Sequence, residues 1–237
     1  SGIGLNLTYE PGNSEGSPYQ DKLKTELSAG TAPDVFWIPG TDIADFAKAG
    51  LILNAAPQAA ASGFNPADFY AGPMDQLQVD PATGQKADGF IWGVPRDVST
   101  FALYLNLDLI DEAGAEDPRE LAANGEWTRD KFAEVSQQIA DNVPGSKGFG
   151  AGGWWANWGY FVNSAGGSFY NEDRTACALD SDASIAGLTF YQDLYASGSG
   201  VPFGEDAEPP FKAGTLGMFI NGRWATPGAR EITSFNW

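Results

Sequence analysis

The spacing of apolar residues changes period several times along this chain. Leu5, Leu7 and Tyr9 alternate with Asn6 and Thr8, which is the period of a strand with one covered face. Ser17-Pro18-Tyr19-Gln20 then supplies an N-cap, a proline at the first helical position and a capping-box glutamine. Tyr19, Leu23 and Leu27 recur every four residues behind it, and Gly30 stands where a helix is closed. The apolar run Val35-Phe36-Trp37-Ile38 has the character of a buried parallel strand, places Trp37 in the core, and stops at Pro39-Gly40. Thr41 is placed to cap a second helix, with Asp42 and Asp45 in its first turns, Lys48 near its end and Gly50 closing it. This β-α-β-α order predicts a parallel sheet covered by helices.

Residues 54–88 are richer in Ala, Pro and Gly, with a turn at Asp80-Pro81-Ala82-Thr83-Gly84 able to join two short strands. Two apolar runs follow, Phe90 to Pro95 and Phe101 to Leu105, separated by the polar pentapeptide Arg96 to Thr100. Such a break is expected where a chain crosses between lobes, so the hinge is placed near Asp97 to Thr100, with a first lobe at 1–97 and a second at 98–237. Further on, Trp127 and Phe132 flank Thr128 as a hydrophobic staple, and Phe132, Val135 and Ile139 continue one helical face. The glycine-rich stretch Gly148 to Gly153 leads into Trp154-Trp155-Ala156-Asn157-Trp158. A helix is predicted from Asp182 to Ser197 with Ile185, Leu188, Tyr191 and Tyr195 inward, and a strand from Leu216 to Ile220 ending in Asn221-Gly222-Arg223-Trp224. The fold class is therefore α/β throughout.

Composition removes several kinds of chemistry. With 237 residues and 43% apolar content the chain can fill a real core. Thirteen Lys and Arg against 31 Asp and Glu give a formal charge of −18, which repels phosphate backbones and argues against a nucleic-acid partner. No histidine is present and Cys177 is the only cysteine, so His-based triads, His-bearing zinc sites, internal disulfides and CxxC redox pairs are excluded. Cys177 itself reads as a small buried or half-buried residue of a turn-rich segment. No stretch approaches the ~20 apolar residues that span a bilayer.

Three segments, taken in order, carry a resemblance. Gly30-Thr31-Ala32-Pro33-Asp34-Val35-Phe36-Trp37, then Gly93-Val94-Pro95 with Ala102-Leu103-Tyr104-Leu105-Asn106, and finally Gly214 through Trp224 are together similar to the family 1 extracellular solute-binding proteins of bacterial ABC sugar importers, the group of the maltose and maltodextrin receptors. That resemblance implies a type II periplasmic-binding-protein-like fold, in which two α/β lobes joined by a hinge enclose a ligand cleft. It also implies that both ends of the family fold are missing and that the segment is an internal piece. A first lobe without its central strand would leave sheet edges unpaired.

A neutral sugar needs donors and acceptors for its hydroxyls and flat rings for its C–H faces. Trp154 and Trp158 are four apart, on one face of a helix, with Trp155 and Asn157 to either side; the cluster is read as a stacking platform, against the alternative that its rings fill a core. Trp224 falls on the family's cleft aromatic. Gly222 beside it permits close backbone approach, and Arg223, where family members often carry proline, either forks onto the ligand or forms a surface salt bridge. In the first lobe, Gly40, Thr41 and Asp42 follow a predicted strand and open a helix, as ligand-contacting turns of open α/β sheets do. In the hinge, Asp97 and Ser99 are the polar candidates, with an Arg96 ion pair as the alternative role for Asp97. Glu10, Asn13 and Glu15 are further candidates in the loop after the first predicted strand.

The function implied is capture of a mono- or oligosaccharide between the lobes and its delivery to an ABC transporter permease. The receptor is expected to be a monomeric, extracytoplasmic, non-enzymatic protein, in the periplasm or lipid-anchored, with no cofactor and no metal. A glycoside hydrolase, which needs two carboxylates ~5–9 Å apart across the bond, and a carbohydrate-binding adhesin without a transporter stay open as alternatives.

Overall fold

The structure is a computed structural model and describes residues 2, 4–10 and 18–237. The chain divides into two compact units, Ser1–Val98 and Ser99–Trp237.

In the first unit, helices α1 (Pro18–Ala29), α2 (Ile43–Lys48), α3 (Ala56–Ser62) and α4 (Ala71–Gln76) carry the packing. Gly30, Gly50 and Gly63 each follow a helix with positive φ, the left-handed conformation that closes the last turn without steric cost. Ile43, Met74, Leu77 and Ile91 form the buried cluster, with Ile38, Phe64, Phe69 and Trp92 against it. Asn54 splices this core together: its amide donates to the Gly89 carbonyl at 2.9 Å, and its oxygen accepts from Ile91 and Ala56, both at 3.0 Å. The expected turn is present, with the Gly84 amide donating to the Asp80 carbonyl at 2.8 Å beneath a single antiparallel bridge between Val79 and Lys86.

Several expectations for this unit are overturned. Among the described residues of the first unit there is no strand, only that bridge. Leu5, Leu7 and Tyr9 are 93%, 85% and 86% exposed, and neither they, Asp34–Ile38 nor Phe90–Pro95 enter a ladder. Alternation marks a segment able to pair, but a strand exists only where a second backbone supplies the hydrogen bonds. Ile91 and Trp92 instead exchange backbone bonds with Ala55 and Leu77. Trp37 is half exposed rather than core, with the Arg96 guanidinium 4.8 Å from its ring centroid. Nor does Thr41 cap α2. A 3-10 turn, Gly40–Asp42, precedes that helix, and the capping residues are Pro39 and Asp42. The Ser17 cap, Asn13 and Glu15 lie outside the described residues.

The second unit is built on a three-stranded sheet of order β1-β3-β2, from β1 (Phe101–Leu105), β2 (Lys147–Ala151) and β3 (Leu216–Gly222). The central β3 runs antiparallel to β1, with Leu103 opposite Ile220, and parallel to β2, with Phe149 opposite Met218. It is buried almost throughout, as a strand covered on both faces must be. On one face Phe149, Met218 and Ile220 join Phe132, Val135, Ile139, Phe161 and Tyr191. On the other, Tyr104, Leu216 and Phe219 meet Phe211, Ala225 and Ala229.

Seven helices clothe the sheet: α5 (Leu107–Glu112), α6 (Pro118–Ala123), α7 (Arg129–Asn142), α8 (Trp155–Ser164), α9 (Asp182–Ala196), α10 (Glu208–Lys212) and α11 (Thr226–Ala229). α7 begins as the sequence predicts, the Thr128 hydroxyl accepting from the Lys131 amide at 3.2 Å while Trp127 packs on Phe132. It lies so close on the sheet that a Cβ on Gly148 would stand 1.9 Å from the Ser136 carbonyl oxygen.

α9 is where predicted, and Tyr191 and Tyr195 turn to the core as expected, but Ile185 does not. Ile185 is 50% exposed, and the buried face is Ser184, Gly187, Tyr191 and Leu194. The cause is contact distance: a Cβ on Gly187 would meet the Phe161 carbonyl oxygen at 2.5 Å and the Val162 Cα at 2.7 Å, so the small residues face α8 and the bulky Ile185 turns out. Cys177, expected buried or half-buried, is exposed beside the bridge it shares with Tyr170.

Candidate functional site

Parallel strands in an open α/β sheet deliver their loops to one edge, at the carboxyl ends of the strands. Here β2 and β3 end together, and the chain that leaves each carries tryptophan. After Ala151 come Gly152 and Gly153, then Trp154 as the N-cap of α8 and Trp155 as its first residue. After Gly222 comes a 3-10 turn, Arg223–Ala225, with Trp224 at its centre. Because β1 is antiparallel to β3, its first residue, Phe101, pairs with Gly222 and reaches the same edge.

The rings form one surface. Phe101 lies 5.9 Å from Trp154 and 5.6 Å from Trp224, Trp154 lies 5.3 Å from Trp155, and Trp154 and Trp224 are 6.3 Å apart with their planes inclined by 64°. Trp154, Trp155 and Trp224 are 42%, 41% and 53% exposed, an unusual outlay of large rings to solvent. Trp158 sits lower, half-buried against the main core and 5.1 Å from Phe169, which in turn meets Trp155 at 5.5 Å. The exposed aromatic face therefore holds three of the sequence-predicted rings, with Trp158 packed beneath it.

The polar residues here are largely engaged in holding that face. Asn157 is buried, and its amide donates to the Gly152 carbonyl at 2.8 Å, fixing the turn that precedes Trp154. Tyr195 donates to the Ala151 carbonyl at 3.0 Å, and its hydroxyl meets that of Tyr191 at 3.2 Å. Burial, ahead of any other influence, pushes both phenols up from their ordinary range, so they stay neutral donors at the end of β2. Arg223 donates its backbone N–H to the Thr100 carbonyl at 3.0 Å. Its side chain faces the outer edge of β1, where with Thr100, Tyr104, Arg119, Thr226 and Trp237 it lines an open groove, and it forms no salt bridge among the described residues.

Gly40, Thr41 and Asp42 share the 3-10 turn. Gly40 is pressed against Gln76, whose Oε1 would lie 2.1 Å from any Cβ there, and Asp42 Oδ2 is buried with no hydrogen-bond partner among the described residues. Asp97 accepts from Arg96 Nε at 2.6 Å, the alternative role considered for it. Ser99 opens the second unit and is exposed. Glu10 is ion-paired with Lys22. No group of three His, Cys, Asp or Glu able to hold a metal occurs among the described residues. No helix among them is long and apolar enough to cross a membrane.

Sequence reasoning missed Phe101, Phe169, Tyr191 and Tyr195 as parts of this edge. The β1–β3 register, which brings Phe101 beneath Trp224, has no local sequence signal.

The mixed α/β architecture is that of the type II periplasmic binding proteins. The chain belongs to the bacterial extracellular solute-binding protein family, whose profile matches residues 4–234. Binding proteins of Brucella abortus (strain 2308) and Brucella suis biovar 1 (strain 1330) are 26% identical over 224 residues, covering 89% of this chain and 49% of theirs. The chain thus spans about half the length of the curated relatives it matches.

Solved structures show the same fold. An ABC substrate-binding protein from Listeria monocytogenes in complex with cycloalternan is 23% identical with a TM-score of 0.77, over 92% of this chain and 54% of that one. Maltose-bound MalE3 of T. maritima is 24% identical with a TM-score of 0.68, over 87% and 51%. UgpB from Mycobacterium tuberculosis in complex with glycerophosphocholine is 18% identical with a TM-score of 0.71, over 91% and 55%.

Proposed function

We propose that this chain is the ligand-capturing part of a carbohydrate receptor, and that the exposed face of Trp154, Trp155 and Trp224 is the stacking surface of its sugar site. The observation that carries the reading is that face itself: three neighbouring indoles open to solvent, with part-buried hydrogen bonds fixing the turn that presents Trp154. Sugar C–H faces lie flat on such rings, and water released from both surfaces favours contact. Thr41, Asp42, Asp97, Ser99 and Arg223 are proposed as contacts for the ligand's hydroxyls. The neighbours from Listeria and T. maritima, bound to cycloalternan and maltose, support a sugar over other solutes. Closure of two lobes about a hinge near Asp97 to Thr100, an extracytoplasmic location, a monomeric state and hand-over to an ABC permease complete the proposal, and family membership supports the location and the hand-over.

The test is isothermal titration of the full protein against mono-, di- and oligosaccharides, α- and β-linked, linear and cyclic, with chromatography of each mixture after long incubation. Tight binding of one carbohydrate returned unchanged is expected. Accumulating hydrolysis product would replace the receptor with a glycosidase. A second reading rests on the same rings, since indole faces also hold quaternary ammonium groups, and the UgpB neighbour was solved with glycerophosphocholine. Including glycerophosphocholine in the panel separates the two, because binding of it alone would overturn the sugar assignment.

A further inference from the structure

Gly222 occupies an unremarkable backbone position, and yet the structure leaves no room for any side chain on it. Its φ of −70° and ψ of 161° are extended values that alanine adopts freely, so the glycine is not there to make a turn. Nor is its N–H bare, because it donates to the Asn221 Oδ1 at 2.8 Å, and its carbonyl accepts from Tyr104 at 3.1 Å. What fills the missing side chain's space is the Trp224 indole. A Cβ on Gly222 would stand 2.0 Å from Trp224 Cζ3 and 2.2 Å from both Cε3 and Cη2, so the benzene half of the indole lies on the glycine α-carbon. Directly across the ladder is Phe101, the pair of Gly222, whose ring meets the same indole edge-on at 5.6 Å and 86°.

From these contacts we infer that Gly222 is a positioning residue: its bare α-carbon is the seat of the Trp224 ring, and with Phe101 it sets the angle at which that indole faces Trp154. This rests on the proposed stacking role of Trp224 and adds to it a reason why the ring stands where it does. Half-exposed indoles ordinarily sample several rotamers. Here one orientation is selected by contact on the flat of the ring and on its edge, so ligand binding does not have to freeze it. A methyl group at position 222 has one easy outlet, because Trp224 is 53% exposed and can swing away while the buried sheet stays in place. The glycine is therefore needed for the ring and not for the fold.

The experiment compares Gly222→Ala with the unaltered protein, both alone and in a Trp224→Ala background. Without ligand, the indole N–H resonance of Trp224, assigned through Trp224→Phe, is expected to move in Gly222→Ala while thermal stability stays within a few degrees. An unmoved resonance overturns the inference whatever the protein binds, so this arm is independent of the sugar reading. With maltotriose as probe, Gly222→Ala is expected to weaken binding about tenfold in the Trp224 protein, and to cost nothing further once Trp224 is alanine. Equal loss in both backgrounds overturns the inference, since the added methyl would then be striking the sugar and not the ring. If maltotriose fails to bind the unaltered protein, the probe is replaced by the tightest ligand of the titration panel, and the resonance arm decides meanwhile.

Discussion

Replacing Asn157 with alanine should loosen the loop that presents Trp154, and the size of the effect can be worked from two distances. The Asn157 amide stands 2.8 Å from the Gly152 carbonyl in a side chain only 6% exposed. The other group near that carbonyl is the Tyr191 hydroxyl at 3.5 Å, too long to replace it well. Truncation leaves a poorly served acceptor, worth about 1–3 kcal/mol, and a small void. A loss of ~2 kcal/mol is therefore expected, which for a chain of this size lowers the melting temperature by about 4–8 °C. Differential scanning calorimetry reads this directly, and carbohydrate affinity should fall with it because Trp154 is less well fixed.

Asn157→Asp sharpens the test. At neutral pH its carboxylate would face the Gly152 carbonyl with no proton between them, so it should be worse than alanine. Its folded-state pKa would be raised by that contact and by burial, so its deficit should shrink on acidification and return as pH rises. A melting temperature unchanged within a degree in Asn157→Ala, or an Asp variant indifferent to pH, would refute the anchoring role.

Trp224→Ala should weaken carbohydrate binding by at least about tenfold in titration calorimetry while leaving thermal stability nearly intact, because the ring is half exposed and outside the buried clusters. Gly148→Ala should be among the most damaging single changes, costing about 3 kcal/mol or more, since the new methyl meets Ser136 backbone at 1.9 Å and no flexible side chain can yield; urea unfolding of the purified variant checks it, and an unchanged midpoint would contradict the close packing of α7 on β2. Asp117 caps α6, and the Arg119 hydrogen bond holds its carboxyl below the ordinary 3.8, so its contribution is present above that value and lost as pH falls through the depressed one. Asp117→Asn keeps a capping oxygen, and the gap in urea midpoint between it and the unaltered protein should be full at about pH 6 and narrow as pH falls below 3.8.

What the sequence revealed follows the range of the interactions involved. α7 was legible because its cap, staple and apolar face all lie within sixteen residues of chain, from Trp127 to Asn142. β1 and β3 were legible as apolar runs, but the four-residue spacing of Trp154 and Trp158 did not put them on one helical face: Trp154 is the extended N-cap of α8 and exposed, and Trp158 lies within the helix against the core. Strands in the first unit were not legible, because Leu5–Tyr9 has the right alternation and no described backbone to pair with. The face of α9 was legible at Tyr191 and Tyr195 and misjudged at Ile185, because close helix packing selected Ser184 and Gly187 where a reading by bulk favoured Ile185. Trp37 was taken for core on its neighbours' hydrophobicity, though Arg96 lies over its ring. At the candidate site, the structure adds contacts that the sequence could not show: Asn157, read as a ligand contact, holds the Gly152 turn, and Gly222, read as room for close approach, has the Trp224 indole over its α-carbon.

The strand order β1-β3-β2 also has a bearing on how this protein comes into being. The middle strand of the second unit is the last of the three to leave the ribosome. From the synthesis of Leu105 until that of Leu216, β1 has no neighbour to bond, and β2 has only the short segment 199–201, which bridges its other edge through Phe149 and Gly200. At ~5–20 residues per second that interval lasts many seconds, with two strand edges open on a growing chain. Completion of β3 closes both ladders at once, so the sheet is expected to form late and all together, and a nascent chain stalled before Leu216 should remain sensitive to protease across the whole of the second unit.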